Sequence, residues 1–252
     1  MSLLALDSVS VSFGGINAVD GASFAVEQGE VFSIIGPNGA GKTSLFNLIS
    51  RIYDADAGCI LFEGRDITRE RAHRIAALGI ARTFQNINLF DNGTVLENLM
   101  LGRYRHDRTS LVQQILFTPA VNREKRADRA KVEDIIELLE LEKYRDSGIG
   151  GLPYGVRKIV EIGRALATGP KLLLLDEPSS GLNSEETNDL TFWIEDIKED
   201  LGITVLLIEH DMGLVSAVSD RVLVMNAGRV LALGSAVEIQ TNPDVVAAYL
   251  GE

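Results

Sequence analysis

Eight consecutive residues constrain this chain more than any others: Gly36-Pro37-Asn38-Gly39-Ala40-Gly41-Lys42-Thr43, followed by Ser44. The short apolar run Val31 to Ile35 precedes them, and a helical stretch, Lys42 to Ser50, follows. Glycines at these spacings let successive backbone N–H groups turn inward toward phosphate oxygens. The positive end of the following helix faces the same point. In this reading Gly36, Pro37, Asn38, Gly39, Ala40, Gly41, Lys42, Thr43 and Ser44 cradle a nucleotide's phosphates. Lys42 reaches the β- and γ-phosphates, and the Thr43 hydroxyl is a ligand for Mg²⁺. The bland alternative is an ordinary glycine turn. Average composition gives the four fixed positions by chance in roughly one chain in a hundred of this size, and the strand-loop-helix context narrows that further.

A second run complements the loop. Leu172-Leu173-Leu174-Leu175-Asp176-Glu177 reads as a buried strand that delivers two carboxylates to the C-terminal edge of a sheet, where open α/β sheets bind ligands. Asp176 is expected to hold Mg²⁺, directly or through water, and Glu177 is the group that polarises an attacking water. Alone, the run could be a strand ending in a solvated acidic turn. Paired with a phosphate loop, it points to nucleotide hydrolysis.

The surrounding pattern predicts an α/β fold. Leu3 to Phe13 and Ala22 to Val26 read as strands of an antiparallel edge, separated by turns at Gly14-Gly15 and Asp20-Gly21. From Asn86 to Arg157 the character is helical, clearest at Glu124 to Leu141, where Val132, Ile135, Ile136 and Leu139 share one face. Strand runs Leu172 to Leu175, Ile203 to Ile208 and Val222 to Met225 then alternate with helical Glu185 to Asp200 and Met212 to Val218, which implies a parallel sheet.

Composition removes several function classes. At 252 residues with 46% hydrophobic and 24% charged, the chain can build a full core without disulfide or metal staples. A net charge of −12 is the wrong sign for gripping phosphate backbones, so no nucleic-acid partner is expected. No apolar run approaches the roughly 18 residues of a spanning helix. The first basic residue is Lys42, so no secretory leader is expected and the chain is placed in the cytoplasm. One cysteine, Cys59, and three scattered histidines suggest neither disulfide nor zinc site. Charge is uneven: Arg65 to Arg164 holds 18 basic and 14 acidic residues, against 6 and 22 elsewhere.

These motifs together resemble the nucleotide-binding subunits of ABC transporters. The resemblance implies a P-loop NTPase parallel-sheet core with an antiparallel β edge and an inserted α-helical subdomain. The core is expected at residues 1–85 and 158–252, and the helical subdomain at 86–157. ATP and Mg²⁺ are the implied cofactors. Gln85, in Thr83-Phe84-Gln85-Asn86, resembles the glutamine that contacts Mg²⁺ and the attacking water. His210, in Ile208-Glu209-His210-Asp211, resembles the switch histidine that contacts the γ-phosphate. Phe13 stands where the family stacks an aromatic on adenine, although a core aromatic is the alternative. Ser179 to Asn183 occupies the position of the D-loop.

The loop that closes over the ATP of an opposing subunit is normally Leu-Ser-Gly-Gly-Gln. Here it reads Leu152-Pro153-Tyr154-Gly155-Val156, without the serine hydroxyl and the glutamine, on a helix expected to begin near Val156. Asn183 stands where the D-loop commonly has Asp. With Ala81 to Asn86, Gly181-Leu182-Asn183 and the ending Pro243 to Glu252, these departures resemble the branched-chain amino acid importer ATPases, the longer of their two ATPase subunits, with a helical insertion around Leu111 to Arg129. That resemblance implies an ATPase that powers import from the cytoplasmic face of the cell membrane. Its partners would be a second ABC ATPase subunit, two transmembrane permease subunits and a periplasmic or extracellular substrate-binding protein. The alternatives are an ATP-binding regulatory subunit with a weakly active composite site, or an ABC ATPase serving other amino acids, amides, urea or lipid export.

Overall fold

The computed structural model describes residues 2–83, 87–106 and 118–250. The chain opens with two long antiparallel strands, β1 (Ser2–Phe13) and β2 (Ile16–Glu27), joined by a tight turn at Gly14-Gly15. Strand β2 begins before the expected position and runs through Asp20-Gly21, which do not form a turn. The irregularity is absorbed by register shifts between the strands. Ser8 and Gly21 take positive φ, and the Gly21 N–H donates to Ser10 Oγ, as in β-bulges.

Strand β3 (Val31–Ile35) is buried at every residue and leads through the glycine loop into helix α1 (Lys42–Ile49). Strands β4 (Ala57–Phe62) and β5 (Arg65–Asp66), helix α2 (Ala72–Leu78) and strand β6 (Ile80–Arg82) follow. Next come helices α3 (Val95–Leu101), α4 (Pro119–Leu138) and α5 (Tyr154–Ala167). The sheet resumes with β7 (Leu172–Asp176), α6 (Ser184–Glu199), β8 (Thr204–Ile208), α7 (Met212–Val218), β9 (Arg221–Asn226) and β10 (Arg229–Gly234). Helices α8 (Ala236–Thr241) and α9 (Pro243–Leu250) close the chain.

Two compact units result, residues 1–82 with 171–252, and residues 83–170. The first contains two sheets. One is antiparallel, in the order β2-β1-β4-β5; the other, in the order β10-β9-β3-β8-β7-β6, is parallel except for the hairpin edge β9-β10. Strands β4, β5 and β6 had no clear signal in the sequence. Apolar side chains from both sheets and from α1 form one core. Within it Phe24 of β2 stacks on Phe32 of β3 at a centroid distance of 5.5 Å, and Phe32 is fully buried. Phe32→Ala is expected to cost about 3–5 kcal/mol through lost burial and the cavity left behind, measured by denaturant unfolding of the purified chain.

The second unit is helical. The apolar face of α4 is as expected: Val132, Ile135 and Ile136 are buried, as is Leu139 just beyond it. Buried Asp128 on the same helix pairs with Arg103 at 2.7 Å, and Arg103 also donates to the Ala167 carbonyl. All of α5 lies in this unit, including the stretch from residue 158 that the sequence reading assigns to the core. Gly163 lets α5 pack closely, since a Cβ there would meet Leu139 and Leu99 at 3.0 and 3.4 Å. Only part of the insertion expected at Leu111 to Arg129 is described; residues 111–117 lie outside the described residues. Among the described residues, no helix is long and apolar enough to cross a membrane.

Candidate functional site

The parallel register assembles the site in the first unit. Ile208 at the end of β8 pairs with Ile34 of β3 on one side and with Asp176 of β7 on the other. Three stretches far apart in sequence therefore end at one sheet edge: the glycine loop after β3, Asp176-Glu177 on β7, and Glu209-His210 after β8.

The loop's conformation requires glycine at two positions. Gly36 has φ +150°, and a Cβ there would lie 2.2 Å from the Met225 carbonyl oxygen. Gly41 has φ +100°, and a Cβ would meet the Ala18 carbonyl oxygen at 2.2 Å. Gly41 is also the N-cap of α1, and no side chain caps this helix. The first N–H groups of the helix are thus left for an anion. Lys42 Nζ donates to the carbonyls of Gly36 at 2.7 Å and Pro37 at 3.1 Å, so the ammonium lies inside the loop. Burial lowers its pKa, and the negative charges of Glu177 and Asp176 oppose that shift. A cavity of about 450 Å³ is lined by Asn38 to Ser44, Glu177, Ile16, Asn17, Ala18 and Ala227.

Asp176 is 3% exposed. Burial pushes its pKa above the ordinary carboxylate value, and a hydrogen bond and ion pair from Arg82 pull it back. Glu177 continues past the strand at φ +49°, a left-handed conformation that non-glycine residues seldom adopt, and its N–H donates to the Ile208 carbonyl. The backbone of β8 thereby fixes the turn that carries Glu177 into the cavity.

His210 is exposed, but its backbone is held by Glu209, a fully buried carboxylate missed from the sequence. Glu209 Oε1 accepts from the Ser179 N–H, and Oε2 accepts from the N–H groups of His210 and Asp211. One side chain therefore ties the segment that starts at Ser179 to the His210-Asp211 segment. At the end of the D-loop, Asn183 Oδ1 accepts from the N–H groups of Glu185 and Glu186, and Glu186 returns a bond to the Asn183 N–H. Asn183 is thus the N-cap of α6, a task that Asn and Asp perform equally well. Phe13 is 45% exposed at the end of β1 and meets Tyr53 edge-on at 4.9 Å, so it is not a core aromatic. Gln85 lies outside the described residues.

Leu152, Pro153, Tyr154 and Gly155 belong to the second unit. Pro153 is the N-cap of α5, which begins at Tyr154, two residues before the expected start. Proline's fixed φ suits that place, but its side chain makes no cap hydrogen bond. Pro153 and Tyr154 are exposed, whereas Gly155 is buried in the first turn. Sequence reasoning missed Ile16, Asn17, Ala18 and Ala227 in the cavity wall, because only the fold carries β2 and the β9-β10 turn to the loop.

For magnesium, Thr43 and Asp176 supply hard oxygen donors from two rigid elements. Among the described residues no cluster of three or more His, Cys, Asp or Glu could hold a metal by itself. That donor set suits Mg²⁺, which takes one or two protein oxygens and completes its shell with phosphate and water.

Residues 19–180 match the ABC transporter family, and residues 229–252 match the branched-chain amino acid ATP-binding cassette transporter family. The chain is 41% identical over 250 residues to the high-affinity branched-chain amino acid transport ATP-binding protein BraF of Pseudomonas aeruginosa, covering 99% of this chain and 98% of BraF. It is 38% identical, with the same coverage, to the corresponding protein LivG of Escherichia coli K12. Among solved structures, the ADP conformation of MJ1267, an ATP-binding cassette of an ABC transporter, superposes with a TM-score of 0.86 at 35% identity over the whole of both chains. A nucleotide-free ATP-binding cassette from an ABC transporter gives a TM-score of 0.83 at 34% identity. With its glycine loop, carboxylate pair and Glu209-His210 segment on one sheet edge, and with relatives alike from end to end, the chain belongs to the ABC transporter family, among the branched-chain amino acid transport ATP-binding proteins.

Proposed function

We propose that this chain is the ATP-hydrolysing subunit of an importer for branched-chain amino acids. The observation that carries this reading is the convergence of Lys42, Thr43 and Glu177 at one cavity, with buried Asp176 near enough for its charge to act on Lys42, in a chain that matches BraF and LivG nearly from end to end. Phosphates bind the N–H groups of the loop and Lys42, and adenine stacks on Phe13. Thr43 and Asp176, with Gln85, hold Mg²⁺, which when bound offsets charge on the β- and γ-phosphates. Glu177 accepts a proton from the attacking water, and His210 contacts the γ-phosphate.

The partner ATPase closes over this ATP with its own signature loop, while Leu152 to Gly155 and Asn183 of this chain face the partner's site. The pair works on two permeases at the cytoplasmic face of the membrane, fed by a substrate-binding protein. In vesicles reconstituted with these partners, leucine, isoleucine or valine loaded on the binding protein is expected to stimulate ATPase activity several-fold. Stimulation only by other solutes would overturn the cargo, and a complex without ATPase activity would overturn the whole reading.

Pro153 favours a second reading. A helix start without a hydroxyl offers the opposing γ-phosphate one hydrogen bond fewer, worth roughly 1–3 kcal/mol. A composite site weakened in this way would make the subunit regulatory. Single-turnover hydrolysis in the same complex, with each site disabled in turn, separates the two readings.

A further inference from the structure

Arg82 ends β6, and the sequence assigned it no task. It is 8% exposed in its side chain and spans three elements. Nη2 donates to Asp176 Oδ2 on β7 at 2.9 Å. Nη1 donates to Asn47 Oδ1 at 2.7 Å and to Ser50 Oγ at 2.9 Å, both at the C-terminal end of α1. The guanidinium carbon also lies 5.6 Å from the Phe46 ring centroid on that helix. The last turn of α1 has no basic residue of its own, so Arg82 supplies the cation that the negative end of the helix favours. Its two terminal nitrogens bond different elements, which the planar guanidinium fork permits and a lysine ammonium cannot reproduce.

We propose that Arg82 is a positioning residue for magnesium: it fixes the Asp176 carboxylate to the helix that carries Thr43. The proposal rests on the reading of Thr43 and Asp176 as the Mg²⁺ donors. Thr43 stands in the first turn of α1 and Arg82 grips the last, so one rigid helix lies between the hydroxyl and the anchored carboxylate. Arg82 holds Asp176 through Oδ2, so the orientation of the carboxylate is set by the same guanidinium that grips α1. A purely structural ion pair would have the same burial and distances. The two roles differ in what removal does to metal-dependent binding.

The test is the affinity of the purified chain for ATP, measured by calorimetry with excess Mg²⁺ and again with EDTA, for the parent chain, Arg82→Met, Arg82→Lys, Asn47→Ala and Asp176→Asn. The ratio of the two affinities reports the magnesium contribution, and loss of general stability does not by itself change it in protein that remains folded. Arg82→Met is expected to bind metal-free ATP within about twofold of the parent and to lose at least 10-fold of the magnesium gain, the range seen when supports of metal ligands are removed. Arg82→Lys recovers part of the gain, and Asn47→Ala, which weakens the anchor without touching Arg82, loses less than Arg82→Met does. If Arg82→Met does not fold, Arg82→Lys and Asn47→Ala decide in the same assay. A full magnesium gain in every folded Arg82 and Asn47 variant, with the gain lost in Asp176→Asn, overturns the role of Arg82 alone. A full gain in Asp176→Asn overturns the assignment of Asp176 as a metal ligand, and the proposal with it.

Discussion

Glu177→Gln in the assembled transporter is expected to lower ATP turnover at least 100-fold while ATP affinity stays within about twofold, because the amide keeps the shape of the side chain and removes the base. The prediction follows from where Glu177 stands. It lies in the cavity wall beside the phosphate loop, carried there by a left-handed turn whose N–H bonds to β8. Glutamine retains that backbone and adds no volume, so binding and folding are spared. Steady-state hydrolysis together with equilibrium ATP binding on the same preparation checks it, and turnover equal to that of the parent would remove Glu177 from the mechanism.

Lys42→Ala is expected to produce the opposite pattern, a loss of ATP affinity of about 100-fold. The charge-assisted hydrogen bond from the ammonium's remaining N–H to a phosphate oxygen, at roughly 1.5–3 kcal/mol, supports a loss of that size. The ammonium has three N–H bonds, of which two donate to the Gly36 and Pro37 carbonyls. Alanine therefore also removes the group that gathers the loop around the anion. Calorimetric titration with ATP reads the change directly. The two variants divide the site's work: one loses binding, the other loses chemistry.

The elements legible in the sequence are those whose cause is local. The strand, glycine loop and α1 could be read because a buried run, a glycine turn and an amphipathic helix each leave their mark within a few residues. Met212–Val218 was read to the residue, since the α7 cap Asp211 and its apolar face are adjacent in the chain. Asp20-Gly21 misled for the converse reason. The pair has turn chemistry, but pairing with β1 makes it a bulge inside β2, and no short window contains β1.

By itself, then, the sequence determined the nucleotide site's chemical inventory: a glycine-rich loop, one lysine, a hydroxyl and two adjacent carboxylates. Which further residues serve that inventory was decided by tertiary structure. Arg82 reads in the sequence as one of many arginines, and Glu209 as an unremarked neighbour of a histidine. Their tasks exist only because the parallel sheet places β6, β7 and β8 side by side, so that Arg82 reaches Asp176 across 94 residues of chain and Glu209 reaches the Ser179 N–H across 30. Local chemistry is written in local spacing. A buried charge, by contrast, must find its partner wherever the fold provides one, because leaving it unpaired away from water costs too much.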